Sequence, residues 1–325
     1  MGKTANVQDI AKLLKVHQSI LVVSHQRPDG DCFGSATALL RGLQLMGKQV
    51  AGYNASGVSE KLKFIPFTDL ISDQLPEWTA DVTVFVDCGN AKRVAPDFVP
   101  QGTTINIDHH ISNDCFGDYN YIDANACAVG EQILHLLGAL DIPISSSIAN
   151  SLFASVSSDT GSFRYSNTNA HSFEIGRILV EKGANPGWVC EQLFESKTRE
   201  EVQLQARAMN NIRYECEGRL SWSELRWADY VAAGGAQHEP EGLSTELRSI
   251  IGVEISLLFH ETEDGGLRCS LRSKGRVDCN KIAGAFGGGG HANAAGYKSK
   301  GKPYEQHRDE IIAAAMVAVN EIFSV

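Results

Sequence analysis

The sequence lacks an excess of positive charge. Its 29 Lys and Arg residues stand against 39 Asp and Glu residues, which gives a formal net charge of −10. A protein that binds long nucleic acid through many phosphates needs clustered Lys and Arg side chains, so this composition disfavours that class. A small anionic substrate stays open, because bound divalent cations would offset carboxylates locally. The charge therefore limits the length of a substrate more than its chemical class.

Paired cysteines and long apolar runs are also missing. The eight cysteines form no Cys-x-x-Cys pair and no zinc-like spacing, which is typical of thiols in a reducing compartment. No apolar run approaches the length that spans a membrane. The opening residues, MGKTANVQDIAKLL, lack the apolar core of a signal peptide. We therefore expect a cytoplasmic protein.

The length and composition are those of a globular protein with two domains. Hydrophobic residues make up 43% of the chain and charged residues 21%, which is usual for this class. A chain of 325 residues is longer than one typical core, so two domains are expected. We place an α/β domain at 1–190, a helical connector at 191–216 and a smaller α/β domain at 217–325.

Apolar periodicity predicts the secondary structure along the chain. In the first domain it predicts helices at 7–17, 35–46, 126–140, 145–158 and 170–182, and strands at 20–23, 49–53, 81–87 and 103–108. Farther along it predicts helices at 187–195, 199–215, 278–286 and 304–323, a strand at 219–226, and a hairpin of 253–260 with 266–272. The apolar strands of the first domain are typical of a parallel sheet that is buried on both faces.

Three side chains that bind metals follow the first apolar strand. His25, Asp29 and Asp31 lie in a turn that contains Pro28 and Gly30, immediately before a predicted helix. In an open α/β sheet, sites form at this carboxyl edge. An alternative for this stretch alone is an Asx-rich turn that caps the helix, with His25 as an ordinary strand-end histidine.

The same placement recurs later in the chain, which the capping alternative does not explain. The candidate residues at or near the ends of predicted elements are His25, Asp29, Asp31, Asp87, Asp108, His109, His110 and Asp159. Carboxylate and imidazole ligands without thiolate favour manganese or magnesium over structural zinc. A pair of such cations that share one carboxylate supports in-line phosphoryl displacement. The predicted chemistry is hydrolysis of a phosphate ester or anhydride.

A glycine-rich segment, GGGGHANAAG at 287–296, stands out in the second domain. Glycine-rich backbone beside a helix start can bind an anion through its N–H groups. A basic cluster that includes Arg272 and Lys274 lies just upstream. The alternatives are a flexible turn for the glycines and a solvated hairpin end for the basic cluster.

These motifs resemble those of the DHH phosphoesterases, a family named for the Asp-His-His tripeptide found here at 108–110. The similarity extends to HQRPDGDCFGS, VFVDCGN, IDHH and SSDTGSFRYSNT, and the glycine-rich segment resembles the signature of the DHH-associated carboxy-terminal domain. The motifs run from residue 25 to residue 296. The resemblance implies a parallel-sheet DHH catalytic domain with flanking helices, a helical connector and a smaller α/β substrate-binding domain.

The resemblance also implies two divalent cations, with manganese favoured over magnesium or cobalt. The implied ligands are His25, Asp29 and Asp87 for one cation and Asp31, Asp87, His109 and Asp159 for the other. Asp87 would bridge the two cations, which would carry a hydroxide for in-line attack. Asp108 would orient its neighbours, and His110 would face the substrate phosphate as a catalytic group.

The implied substrate-binding residues lie mainly in the second domain. Arg272 and His291 would clamp a terminal phosphate or base of the substrate. The further candidates are Ser273, Gly288, Gly289, Gly290 and Arg164.

Within the family, the compact two-domain length resembles bacterial oligoribonucleases of the NrnA type. Exonucleases of the RecJ type carry an additional domain, and membrane-bound cyclic-dinucleotide phosphodiesterases carry transmembrane segments. The resemblance implies an enzyme that converts dinucleotides and slightly longer RNA to mononucleotides and dephosphorylates 3′-phosphoadenosine 5′-phosphate. The alternatives are a hydrolase of cyclic or linear signalling dinucleotides and a non-catalytic nucleotide sensor. The sequence leaves cleavage polarity, RNA or DNA preference and oligomeric state open, a homodimer included.

Overall fold

The chain forms two compact units, each with its own sheet. A computed structural model describes residues 2–95, 97–235, 242–299 and 303–323. The internal contacts divide the chain into residues 1–196 and 197–325. Among the described residues, no helix combines the length and the apolar character needed to cross a bilayer.

The first unit is a parallel α/β domain with seven strands in the order β1-β7-β6-β5-β2-β3-β4. Its strands are β1 Lys3–Thr4, β2 Ser19–Ser24, β3 Gln49–Tyr53, β4 Ile71–Ser72, β5 Val82–Val86, β6 Thr103–Asp108 and β7 Tyr119–Ile122. Its helices are α1 Val7–Val16, α2 Gly30–Leu45, α3 Val129–Ala139, α4 Ser146–Asp159, α5 Ala170–Glu181 and α6 Pro186–Phe194. All the strand pairs are parallel, which confirms the expected fold class.

The two central strands are buried along their whole length. Every residue of β2 and β5 is buried, because helices cover one face of the sheet and loops cover the other. Ile20 and Val22 of β2 point into the main core with α2, α3 and α4. The alternate residues Leu21 and Val23 pack with Phe85 in a smaller cluster on the opposite face. The uninterrupted apolar runs of the sequence therefore reflect burial on both faces.

Helices α2 and α3 each approach α4 closely through a glycine. A Cβ atom at Gly34 would lie 2.3 Å from the carbonyl oxygen of Ser151, and one at Gly130 would lie 2.1 Å from Ser155 Oγ. Neither distance leaves room for a methyl group. The close approach matters for the site, because α2 begins and α4 ends at the carboxyl edge of the sheet.

The second unit has a mixed six-stranded sheet in the order β12-β13-β11-β10-β9-β8. Its strands are β8 Arg213–Glu215, β9 Leu220–Leu225, β10 Ile255–Glu261, β11 Leu267–Ser273, β12 Gly289–His291 and β13 Ala294–Lys298. Its helices are α7 Arg199–Asn210, α8 Trp227–Ala232, α9 Leu243–Ser249, α10 Cys279–Ala285 and α11 Tyr304–Phe323. Among the described strands of this second sheet, only β9 and β10 pair in parallel. Helices α10 and α11 cover one face, and α7 to α9 cover the other.

The predicted elements agree with the structure where apolar periodicity is strong. The helix at 304–323 and the strand at 49–53 have the expected bounds, and the predicted hairpin is β10 with β11. The helix predicted over 199–215 is too long, because α7 ends at Asn210 and Arg213–Glu215 pairs with β9 as an edge strand. Strand β7 was missed because it contains a polar Asn120, which is buried and hydrogen-bonded to Gly117.

The glycine-rich segment lies beside a helix end and not, as expected, beside a helix start. It follows the carboxyl end of α10 and forms the β12–β13 hairpin. Gly287 and Gly290 have φ angles of 86° and 151°, and a Cβ at Gly288 would lie 2.3 Å from the carbonyl oxygen of Gly296. The glycines therefore allow backbone angles that other residues avoid, and they let the strands pack closely.

We expect Gly34→Ala to lower the free energy of unfolding by about 1–3 kcal/mol, because the added methyl overpacks the α2–α4 contact. Gly138→Ala is the matched control, since a Cβ at this helical glycine meets no atom within 4 Å. The control should gain about 0.5–1 kcal/mol from helix propensity. Urea unfolding measures both changes in the free energy of unfolding. A gain of stability in Gly34→Ala like that of the control would contradict the close approach.

Candidate metal centre

The topology brings the predicted metal ligands to one edge of the sheet. His25 follows β2, Asp87 follows β5, and Asp108 ends β6, and these three strands are direct neighbours. The other candidates are Asp29 and Asp31 at the start of α2, His109 and His110 after β6, and Asp159 at the end of α4. The carboxyl edge of this sheet is therefore the place where the polar residues meet, as expected for an α/β fold.

Side chains from different motifs lie within ligand distance of one another. His25 Nε2 is 3.2 Å from Asp87 Oδ2, and His110 Nδ1 is 3.5 Å from Asp87 Oδ1. His109 Nε2 is 3.8 Å from Asp31 Oδ2 and 3.6 Å from Asp159 Oδ2. Among the described residues, three groups have ligand atoms within 4.8 Å: His25, Cys32 and Asp87; Asp87, His109 and His110; and Asp31, His109 and Asp159.

Asp87 belongs to two of these groups. Its side chain is buried, and its Oδ1 atom has no hydrogen-bond partner among the described residues. Its backbone adopts a left-handed φ of 58°, a conformation that costs free energy in a non-glycine residue and often marks a functional site. An orphaned, buried carboxylate oxygen beside two imidazoles fits a divalent cation that supplies the missing positive charge.

Crowding of like charges gives the site unusual pKa values. Burial raises the pKa of Asp87 well above its ordinary range, and the charges of Asp31 and Asp29 raise it further. Burial and Asp31 together raise the pKa of Asp159 to about 7. Burial would lower the pKa of His109, but the neighbouring carboxylates outweigh it and raise that pKa to about 9. Bound divalent cations would relieve this repulsion.

The Asp31 side chain accepts hydrogen bonds from four donors. Its Oδ1 accepts hydrogen bonds from Ser155 Oγ at 2.6 Å and Ser35 Oγ at 3.0 Å. The backbone N–H groups of Val129 and Gly130, at the start of α3, donate to the same carboxylate at 2.9 and 3.3 Å. Burial still raises the pKa of Asp31. The carboxylate thus caps α3 and faces His109 at the same time.

Asp29 differs from the other candidates. Its Oδ1 accepts a hydrogen bond from Cys32 N at 3.0 Å and caps α2, so the capping alternative describes its present contact. It belongs to none of the ligand groups found among the described residues. Cys32 joins one group, a contact that the sequence did not suggest. Burial, followed by the charges of Asp87 and Asp29, raises the pKa of the Cys32 thiol, so it is a poor ligand for a hard cation.

Asp108 connects His110 to the rest of the site. Its Oδ1 lies 2.7 Å from His110 Nδ1, and its Oδ2 accepts a hydrogen bond from Asn113 Nδ2. Burial would raise the pKa of Asp108, but the hydrogen bonds and charge of these partners outweigh burial and lower the pKa. Asn113 also donates to the carbonyl oxygen of Cys88, so it joins the loops that follow β5 and β6.

Three asparagines that support the site were not identified from the sequence. Asn54 follows β3, and its Nδ2 donates to Ser24 Oγ and to the carbonyl oxygen of His25, each at 2.8 Å. Asn113 holds Asp108, and Asn167 Nδ2 lies 3.2 Å from Asp159 Oδ2. A polar residue directly after a predicted strand was the usable signal for Asn54, because the same position identified Asp87.

The candidate substrate residues of the second unit lie on and beside β11 and β12, the two strands that flank β13. Arg272 of β11 pairs with Ala294 of β13, which pairs in turn with His291 of β12. Ser273 N donates to the carbonyl oxygen of Asn293 at 2.9 Å. Gly288, Gly289 and Gly290 precede His291 in this hairpin region. The β-sheet therefore brings Arg272, Ser273 and His291 together, although they are far apart in sequence.

Arg164 lies in the first unit, after α4. Its Nε donates to the carbonyl oxygen of Gly161 at 2.6 Å, and its guanidinium lies 6.0 Å from the ring centroid of Phe194. The turn that precedes it is strained, since Ser162 and Phe163 both have left-handed φ angles. Its assignment as a substrate residue stays a prediction.

We expect Asp87→Asn to raise the free energy of unfolding of the metal-free protein by about 1 kcal/mol or more. The substitution removes a buried charge from a crowded site, and Asn tolerates the left-handed backbone. Asp81→Asn is the matched control, because Asp81 lies at the other end of β5. Hydrogen bonds from Ser19 and Gln18 lower the pKa of Asp81, so this variant should lose stability.

Urea unfolding at neutral pH with a chelator measures both variants. The stabilisation by Asp81 should be present above its unfolded pKa near 3.8 and should disappear as the pH falls through the lower folded value. A loss of stability in both variants would contradict the crowding at Asp87.

Comparisons with known proteins identify the family of this chain. Residues 19–156 match the model of the DHH family, N-terminal domain, and residues 230–321 match the model of the DHHA1 domain. The bifunctional oligoribonuclease and PAP phosphatase NrnA of Thermus thermophilus is 28% identical over 308 residues, which cover 94% of this chain and 92% of the relative. The protein of the same name from Bacillus subtilis is 26% identical over 292 residues, with coverages of 89% and 91%.

Solved structures share the fold. An exopolyphosphatase-related protein from Bacteroides fragilis has a TM-score of 0.87 at 24% identity, over 97% of this chain and 95% of that one. The exonuclease RecJ bound to manganese has a TM-score of 0.56 at 15% identity, over 97% and 94%. With two domain models matched in order and the Asp-His-His tripeptide at the end of β6, the chain belongs to the DHH family of phosphoesterases and carries a DHHA1 domain.

Proposed function

We propose that this protein hydrolyses very short oligonucleotides, from dinucleotides to a few residues, to mononucleotides, and that it also dephosphorylates 3′-phosphoadenosine 5′-phosphate. The observation that carries the proposal is the position of Asp87, which is shared by two groups of potential ligands at one sheet edge. The names of the relatives from Thermus thermophilus and Bacillus subtilis support the substrate class.

The proposed metal ligands follow the ligand groups only in part, because Asp29 belongs to none of them. His25 and Asp87, with Asp29, would hold one divalent cation, and the second cation would be held by Asp31, Asp87, His109 and Asp159. Manganese is the proposed ion, because carboxylate and imidazole ligands suit it and the structurally similar RecJ exonuclease was solved with manganese. The chemistry that such a pair supplies when bound is activation of water and stabilisation of charge in phosphoryl transfer.

Asp108 and His110 act beside these ligands. The carboxylate of Asp108 accepts a hydrogen bond from His110 Nδ1 and so fixes the orientation of the imidazole ring. His110 Nε2 is then the nitrogen that would face the phosphate and assist the leaving oxygen with a proton or a hydrogen bond. The buried Asp108, which Asn113 also holds, keeps this orientation without contacting the substrate.

The second unit is proposed to bind the end of the substrate. Arg272 and Ser273 lie on β11 and His291 on β12, with β13 between these two strands, and a guanidinium with an imidazole would clamp a terminal phosphate or a base of the substrate. The helical connector at 191–216 would join this unit to the catalytic domain. The net charge of −10 disfavours long duplex nucleic acid, and the cysteine pattern supports a cytoplasmic location.

Substrate length provides the direct test of the proposed activity. With manganese present, we expect rapid hydrolysis of a 5′-labelled diribonucleotide and of 3′-phosphoadenosine 5′-phosphate, and at least tenfold slower hydrolysis of a 20-mer at equal concentration. Product analysis over time measures all three rates, and a cyclic dinucleotide tests the signalling alternative. Faster hydrolysis of the 20-mer would contradict the proposal, and hydrolysis of none would favour a sensor.

We expect His110→Gln to lower kcat by about 10²–10⁴-fold, because the proton donor to the leaving oxygen is lost. Manganese affinity, measured by calorimetry, should change far less than in His109→Gln, because His109 is a proposed ligand. His135→Gln is the matched control, since His135 lies on the exposed side of α3. An unchanged kcat in His110→Gln would remove His110 from the proposed chemistry.

A further inference from the structure

Three cationic residues lie on the two loops that follow β2 and β5. Arg27 comes two residues after His25, and Lys92 and Arg93 lie in the short 3₁₀ turn after Asp87. The two loops contact directly, because Gln26 N donates to the carbonyl oxygen of Arg93 at 2.7 Å. We call Arg27, Lys92 and Arg93 the rim patch.

The rim-patch side chains are exposed and available. All three residues are exposed, and in the described ranges none of their side chains takes part in a hydrogen bond, an ion pair or a cation–π contact. Some other exposed cations are paired: Arg177, for example, bonds to Glu174 and Glu181. In an acidic protein, adjacent cations without carboxylate partners indicate an anionic ligand.

The backbone of Arg27 is held in a costly conformation. Its φ angle is 54°, left-handed for a residue that also precedes a proline, where the backbone is normally extended. Hydrogen bonds on both sides maintain it: Arg27 N donates to Ser56 Oγ at 3.0 Å, and Asn54 Nδ2 donates to the carbonyl oxygen of His25. Strain that the surroundings enforce in this way is typical of functional positions.

The charge of Arg93 reaches the end of β5. Burial raises the pKa of the Cys88 thiol, and the charge of Asp87 raises it further, whereas Arg93 acts in the opposite direction. Arg93 therefore lies close to the residue that follows Asp87. A phosphate held by Arg93 and Arg27 would lie beside the metal centre and outside the ligand groups.

We propose that the rim patch binds a second phosphate of the substrate, while the first phosphate occupies the metal centre. The inference rests on the proposed function for the identity of the substrate and adds a specificity site in the first unit. Guanidinium groups suit a phosphate monoester, because they donate two parallel hydrogen bonds to it. The ligand class is thus a nucleotide with two phosphates, such as 3′-phosphoadenosine 5′-phosphate.

The test compares two ligands that differ by one phosphate: 3′-phosphoadenosine 5′-phosphate and adenosine 3′-monophosphate. In Arg27→Gln/Arg93→Gln we expect the ratio of their kcat/KM values to fall at least tenfold, mainly through KM for the two-phosphate ligand. Calorimetry in a His110→Gln background should show an affinity for 3′-phosphoadenosine 5′-phosphate that is at least tenfold weaker when the double substitution is added.

Lys182→Gln is the matched control for loss of exposed positive charge. Lys182 precedes Gly183, which lies against Ser146 at the start of α4, whereas Asp159 ends the same helix about 20 Å away. The control should keep the wild-type ratio. A wild-type ratio and affinity in the double variant would overturn the rim patch while leaving the proposed function intact. Hydrolysis of neither ligand by the wild type would contradict the proposed function, and the binding measurement would still decide the rim patch.

Discussion

Repulsion among carboxylates at one edge of a parallel sheet is the constraint on which this structure depends. Burial raises the pKa values of Asp31, Asp87 and Asp159, and the charge of Asp31 raises those of Asp87 and Asp159 further. The fold withstands the repulsion through many oriented donors. The start of α3 and two serines hold Asp31, and His110 with Asn113 holds Asp108. These hydrogen bonds hold the carboxylates in position without a bound ion, so the proposed cations would enter a site that is already ordered.

The second unit brings its candidate residues together through close strand packing and not through buried charge. Its glycines admit close strand packing and unusual φ angles, and the resulting hairpin brings Arg272 near His291 without crowding of like charge. The rim patch is a third arrangement, in which exposed cations lie on two adjacent loops and one of them, Arg27, has a left-handed backbone. The proposed phosphate recognition would therefore be distributed over features of distinct origin, and each one could change without disrupting the others.

The sequence was most informative where burial leaves a periodic pattern. Runs such as DVTVFVD and TTINID predicted central strands and placed Asp87 and Asp108 at the correct edge, because the carboxyl ends of parallel strands meet. The family resemblance then supplied the proposed roles of individual residues. Asn54, Asn113 and Asn167 were missed because their importance arises from contacts between distant segments. The glycine-rich hairpin was not predicted, because glycine permits several backbone conformations. Only the pairing of this segment with a neighbouring strand shows which conformation it adopts.

The left-handed residues around the site bear on how this sequence is free to evolve. Arg27, Asp87, Ser162 and Phe163 all have φ between 54° and 63°, a region that β-branched side chains avoid. A residue substituted at one of these positions must therefore first tolerate the left-handed backbone, before the chemistry of its side chain matters. At residue 87, glycine and asparagine satisfy the geometry, and neither supplies a carboxylate. With Asp87 in its proposed role as a shared metal ligand, its replacement would cost the proposed activity, because no series of equivalent side chains leads away from aspartate.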